Sequence, residues 1–293
     1  METPEERQTT PFLVLQFFIF PMAIVAVCVT VFVVFGLIAS ESKSGRDYLA
    51  EVRTGGQNRR WQAAYELSKL LQARKDPALA DPRFAAEAVK LFEDSANDDP
   101  RVRRYLALAL GRLGDRTAVP ALRKALAANA PDSETVIYAI WALGSLGDPE
   151  AIPELVRLAS SDDRGLRKAA VHALGVFDRP EAHEALLAAL ADATPDVRWN
   201  AALALGRSGD PAAVPVLLQM LDRASLSKLE ASAPEQKADA LTPEQAEDVM
   251  VEAVAAAAKL PDPALKAALE SLRDHDPSLR VREAARAALA GGR

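Results

Sequence analysis

Four copies of the tripeptide Ala-Leu-Gly constrain this 293-residue chain more than any other feature. They end at Gly111, Gly144, Gly175 and Gly206, spaced by 33, 31 and 31 residues. A fixed period of that size is the mark of a solenoid, in which each unit carries an apolar face that only its neighbour can cover. The copies open on Val102-Arg103, Thr135-Val136, Leu166-Arg167 and Val197-Arg198. Gly114-Asp115, Gly147-Asp148 and Gly209-Asp210 then supply a glycine suited to a left-handed helix end and an Asp suited to cap the next helix. Pro149, Pro180 and Pro211 stand at what becomes the first helical position, where a missing N–H costs nothing. Each unit therefore reads as a helical hairpin.

Weaker copies extend the array. Arg59 to Ser68 fits a first helix with Ser68 in the glycine place, Phe84 to Phe92 supplies its partner, Val249 to Ala258 fits again, and Val281-Arg282 to Ala290 is a last single helix. An insertion at about 223–241 separates Gly206 from Ala258, and Thr242-Pro243-Glu244-Gln245 reads as a capping box that restarts helix. The pattern Val-Arg-x-x-Ala-x-x-Ala-Leu-Gly-x-x-Gly-Asp-Pro resembles the short HEAT-like repeats, including the phycocyanobilin lyase type, over about residues 59–290. The resemblance implies a right-handed α-solenoid, here of about six hairpins plus a terminal half-repeat. It also implies that Arg103, Arg167, Arg198 and Arg282 pair with acidic residues near the inter-helix turns, a ladder broken at Val136.

Ahead of the repeats lies an apolar run. Residues 12–39 contain 23 consecutive uncharged residues from Phe17 to Ala39, enough at about 1.5 Å per residue to cross a hydrocarbon core of about 30 Å. The acidic start (Glu2, Glu5, Glu6, with Arg7) and the length argue for a single transmembrane helix over a cleaved signal peptide. Arg7 precedes the run, whereas Lys43, Arg46, Arg53, Arg59 and Arg60 follow it, which places the repeat domain in the cytoplasm of a bacterial inner-membrane type single-pass protein. The expected organisation is a tail at 1–11, the membrane helix at 12–39, a solvated juxtamembrane segment at 40–58, the repeats at 59–290 and a tail at 291–293.

No catalytic constellation emerges. The one cysteine, Cys28, falls inside the apolar run, and His172, His183 and His275 sit in different units without metal-ligand spacing. The iron-dependent deoxyhypusine hydroxylases, a HEAT-like family, hold metal with several His-Glu pairs, and this chain has only His183-Glu184. With a formal charge of −6, nucleic acid is not an expected partner. No enzyme activity, cofactor or metal is expected.

The aromatic residues carry the functional signal. With the last residue of Ala-Leu-Gly as position zero, −9, −5, −2 and −1 face the core and −7, −6, −3 and +1 face outward by helical periodicity. Although aromatics are only 5% of the chain, all three Trp and three of the four Tyr fall on that outward face. The expected partner-binding residues are Trp61, Tyr65, Lys69, Arg104, Tyr105, Leu108, Arg112, Ile137, Tyr138, Trp141, His172, Trp199, Leu203 and Arg207. Trp, Tyr and Arg dominate binding hot spots, and a long apolar stripe on a surface usually has a partner. The expectation is a membrane-anchored scaffold or adaptor that grips another protein, a membrane-complex subunit, on the concave face of the solenoid. The alternative is a lyase-like, chromophore-handling protein, as the resemblance also allows.

Overall fold

The computed structural model describes residues 19–39, 43–73, 81–127, 132–226 and 241–291. The chain divides into two compact units, 1–44 and 45–293. In the first, helix α1 (Phe20–Ala39) covers the later part of the apolar run. Its described side chains, 20–34, are all exposed, Cys28 among them. Among the described residues no helix is long and apolar enough to cross a membrane. The expected 12–39 span is thus not found as such, and residues 1–18 lie outside the described residues.

The second unit is all-helical among the described residues. Helix α2 (Gly45–Thr54) precedes six hairpins: α3 (Gln57–Ala73) with α4 (Pro82–Asp94), α5 (Pro100–Leu113) with α6 (Val119–Ala127), α7 (Ser133–Leu146) with α8 (Ile152–Leu158), α9 (Arg164–Leu174) with α10 (Pro180–Ala189), α11 (Pro195–Arg207) with α12 (Val214–Leu221), and α13 (Pro243–Ala257) with α14 (Pro263–His275). A last first helix, α15 (Leu279–Gly291), stands alone. The odd-numbered helices α3 to α15 pack side by side in chain order, and α13 packs directly on α11 although an insertion separates them in sequence. Arg223 to Leu226 are helical again after a break at Asp222, whereas 227–240, most of the expected insertion, lie outside the described residues.

The punctuation between helices is as the sequence predicts. Gly114, Gly147 and Gly209 have φ of 77°, 61° and 82°, the left-handed region that glycine enters without strain. Asp115, Asp148 and Asp210 each accept a hydrogen bond from the backbone N–H two residues on. Thr242 and Gln245 form the expected reciprocal capping box.

The glycines of Ala-Leu-Gly do different work. They lie within helices or at their last turn rather than at a left-handed end, and each is pressed against the alanine two positions before the corresponding residue of the next unit. A Cβ on Gly111 would stand 2.7 Å from Cα of Ala142; on Gly144, 3.0 Å from Cβ of Ala173; on Gly175, 2.7 Å from Cβ of Ala204; on Gly206, 3.1 Å from Cβ of Ala256. The repeated pair of small residues is therefore the contact through which successive first helices touch. Positions −9, −5, −2 and −1, such as Val102, Leu106, Ala109 and Leu110, are buried behind it.

The arginine ladder is built differently from the expected one. Arg198 donates from Nη1 to the carbonyls of Asp192 and Ala193, and Arg282 does the same to Asp276 and Pro277. Arg167 reaches the carbonyls of Ser161 and Asp162 and also grips the Asp192 carboxylate, at 2.8 Å from Nε. Arg103 reaches the carbonyl of Ala96. The shared partner is backbone carbonyl in the loop just before each first helix, where such oxygens otherwise go unpaired. Burial opposes ionisation of Asp192, but hydrogen bonds from Arg167 and the Thr194 backbone hold its carboxyl below the usual carboxylate range. In the last hairpin Met250 occupies the arginine place, and Arg223 replaces the missing cation, donating at 2.9 Å to the buried Asp276 carboxylate.

The segment expected to be a solvated juxtamembrane stretch is instead the first layer of the solenoid. Leu49 and Val52 of α2 are buried in the core against α3 and α4. Arg46 pairs with Asp81, Arg53 with Glu87 at 2.9 Å, and Arg60 with Asp98 while donating to the carbonyl of Val52. Much of the basic cluster after the apolar run is thus tied into the fold.

The small-residue contact gives a direct test. Gly111→Ala and Gly175→Ala should each lower unfolding free energy by about 1–3 kcal/mol through overpacking, despite the better helix propensity of alanine. Gly56→Ala, with nothing within 4 Å of the added carbon, should be near neutral. Urea unfolding of the three variants checks this.

Candidate protein-binding face

Three adjacent first helices, α3, α5 and α7, bring five of the expected aromatics into one ridge. Tyr105 is the hub: its ring centroid lies 6.4 Å from Trp61, 5.1 Å from Tyr65 and 6.2 Å from Tyr138, the tyrosine pairs meeting edge to face. Such pairs are favourable beyond the area they bury. Tyr65 and Trp141, each 39% exposed, form the open part of the ridge, and Trp61, Tyr105, Leu108 and Tyr138 are half-buried between them. Burial pushes the Tyr105 phenol up, so it stays a neutral hydroxyl. His172 and Val176, both exposed and the latter 58% so, extend the surface onto α9.

Trp141 owes its seat to the repeat. Its Cζ3 lies 3.0 Å from where a Gly111 Cβ would be, so the missing side chain that lets α7 approach α5 also leaves room for the indole. Arg112 stands over the ring, 6.0 Å from its centroid. Arg112 donates from Nη1 to the Ser68 carbonyl at 2.7 Å and to its Oγ at 3.3 Å. Ser68 is fully buried in the place that later units give to glycine. That departure was legible in the sequence, but the arginine 44 residues away that uses it was not.

The outward face assigned by periodicity needs correcting, chiefly at one row. Position −7 points at the next unit rather than at solvent. Arg104 there forms a bidentate pair with Asp132, at 2.6 and 2.9 Å, and a further pair with Glu134. The Arg104 hydrogen bond holds the Asp132 carboxyl below the usual carboxylate range, against the opposing effect of burial. Lys168 pairs with Asp196 at 2.7 Å, and half-buried Ile137 lies 3.4 Å from the space beside Gly165. Trp61 is half-buried beneath Arg101, whose guanidinium is 4.7 Å from its centroid, and its buried indole N–H has no partner among the described residues.

Two expected anchors on α11 are also lost, one at −7 and one at −3. Trp199, at −7 of α11, is 7% exposed and Leu203 is 6% exposed, both in the core cluster where α13 packs on α11. The exposed aromatic ridge therefore ends near Trp141 and does not reach the fifth hairpin. The basic edge is also less free than its composition implies: Arg104 is spent on Asp132 and Glu134, and Lys69 lies 3.2 Å from Glu66. Exposed Arg207 makes no hydrogen bond or ion pair among the described residues, and its Nη2 lies 3.4 Å from the space beside Gly175.

Among the described residues no group of three or more His, Cys, Asp or Glu side chains is placed to hold a metal ion. His172 faces Asn200 at 3.4 Å and His183 pairs with Asp210.

Burial separates the two exposed-face tryptophan assignments experimentally. Trp199→Ala should cost about 3–5 kcal/mol as a core truncation, and Trp141→Ala distinctly less. Thermal unfolding compares them, and equal losses would contradict the placement.

Against known proteins the repeat is recognised directly. The profile for HEAT repeats matches residues 88–175 and 157–235, together just over half of the chain. No curated protein matches the sequence. The fold is similar to that of a chain in the complex of CpcE and CpcF of phycocyanin lyase from Nostoc sp. PCC7120, with a TM-score of 0.53 and 21% identity, covering 86% of this chain and 96% of that one. It is also similar to the Escherichia coli protein YibA, with a TM-score of 0.52 and 17% identity over 84% and 81% of the two chains. At such identities the likeness is one of fold alone. Its hairpin units, its cap chemistry and the profile match together place this chain in the HEAT-repeat family.

Proposed function

We propose that this protein is a non-enzymatic, membrane-tethered adaptor that holds a segment of another protein, a membrane-complex subunit, on the aromatic ridge of its first three hairpins. The observation that carries this reading is the placement of Trp61, Tyr65, Tyr105, Tyr138 and Trp141 on adjacent helices with Tyr65 and Trp141 open to solvent. A stable core has no need of exposed rings, and large rings with few rotatable bonds lose little freedom on binding. The row spacing set by the small-residue contacts fits a partner chain lying across successive helices.

Tethering is supported by the uncharged run from Phe17 to Ala39, whose described side chains include exposed Phe20, Met22 and Phe32. The excess of Lys and Arg after the run supports a cytoplasmic repeat domain. A tether raises the local concentration of the ridge near membrane partners, so modest affinity suffices.

The test is co-purification of the partner from detergent with wild type and with a Tyr65→Ser/Trp141→Ser double variant. Each is a surface change, so the fold should persist while partner recovery falls by about ten-fold or more. Equal recovery from both proteins would contradict the proposal.

A further inference from the structure

We infer that Arg112 and Trp141 form a carboxylate subsite, so that the segment bound on the ridge carries an Asp or Glu side chain next to an apolar one. This rests on the ridge being the binding face and adds the chemistry that selects its occupant.

Four cations in the described structure lie over aromatic rings: Lys69 over Tyr65 at 5.2 Å, Arg101 over Trp61 at 4.7 Å, Arg103 over Phe92 at 5.2 Å and Arg112 over Trp141 at 6.0 Å. Lys69 is paired with Glu66 and Arg101 with Asp99, so their charges are answered within the chain. Arg103 stacks on a fully buried ring. Arg112 alone among them stands beside an exposed ring with no carboxylate in salt-bridge range among the described residues. Its one anchor, Ser68, is neutral: the carbonyl and hydroxyl fix Nη1 without cancelling the charge.

That anchor also prepares the group. A guanidinium already held in place loses less rotamer freedom on binding than a free one, and Nε and Nη2 have no hydrogen-bond partner in the described structure. The acids nearest the ridge do not compete, since Glu66, Asp99, Asp132, Glu134 and Asp196 are each paired with another cation. A single guanidinium beside an indole suits a carboxylate with an adjoining apolar side chain. Phosphate recognition draws instead on clusters of unpaired arginine, and here Arg101 and Arg104 are already answered by carboxylates.

Short random peptides displayed on phage and selected on the full-length protein in detergent supply the probe. The selected peptides should be enriched in Asp or Glu beside an apolar residue. Replacing that acid by its amide in a selected peptide should weaken binding about ten-fold with the protein untouched, and Arg112→Gln should do the same and flatten the salt dependence. Arg112→Lys should retain part of the acid preference. Peptides that need Tyr65 and Trp141 but show no acid preference, or that bind Arg112→Gln unchanged, would overturn the subsite and leave the ridge standing. Peptides indifferent to Tyr65→Ala and Trp141→Ala would overturn the ridge and the subsite together.

Discussion

Successive first helices of this solenoid touch through a glycine of one unit and an alanine of the next, and the rest of the structure is spaced by that contact. Gly111 on Ala142, Gly144 on Ala173, Gly175 on Ala204 and Gly206 on Ala256 repeat one geometry across the hairpins. The final pair holds even though an insertion separates its helices in sequence. Close approach brings the outward rows of neighbouring helices within reach of each other. Tyr105 can meet side chains of both flanking helices only because those helices are so near. At Gly111 the two roles coincide, since the same absent Cβ admits the Ala142 backbone and the Trp141 ring.

Local chemistry was the legible part of the fold. Left-handed glycines, Asp caps, first-turn prolines and the Thr242 capping box are signals a few residues long, and each appears in the structure where the sequence puts it. The core rows at −9, −5, −2 and −1 follow from helical periodicity alone. What periodicity cannot supply is the side on which the next helix lies. Position −7 reads as outward in a single helix but faces the following unit in the stack, which is why Trp199 is buried and why Arg104 and Lys168 are bound to acids one unit on. Contacts between distant residues were equally hidden: Arg112 on Ser68, Arg223 on Asp276, and the burial of Leu49 and Val52 by which α2 caps the first hairpin.

The resulting face is narrower and less charged than composition implies. It is concentrated on α3, α5 and α7, with an extension onto α9, and most cations along it are already answered by carboxylates within the chain. The remaining features are rings and phenol hydroxyls on a rigid framework, together with one pinned guanidinium. It is on this surface that the proposed adaptor role rests.

Site-specific photocrosslinking in intact membranes tests the central claim most directly. A benzoylphenylalanine placed at Tyr138 on the ridge should capture a discrete partner protein, and the same probe at Leu187, an exposed apolar position on the second helix α10, should not. Capture at Leu187 with none at Tyr138, or equal capture at both, would contradict the account.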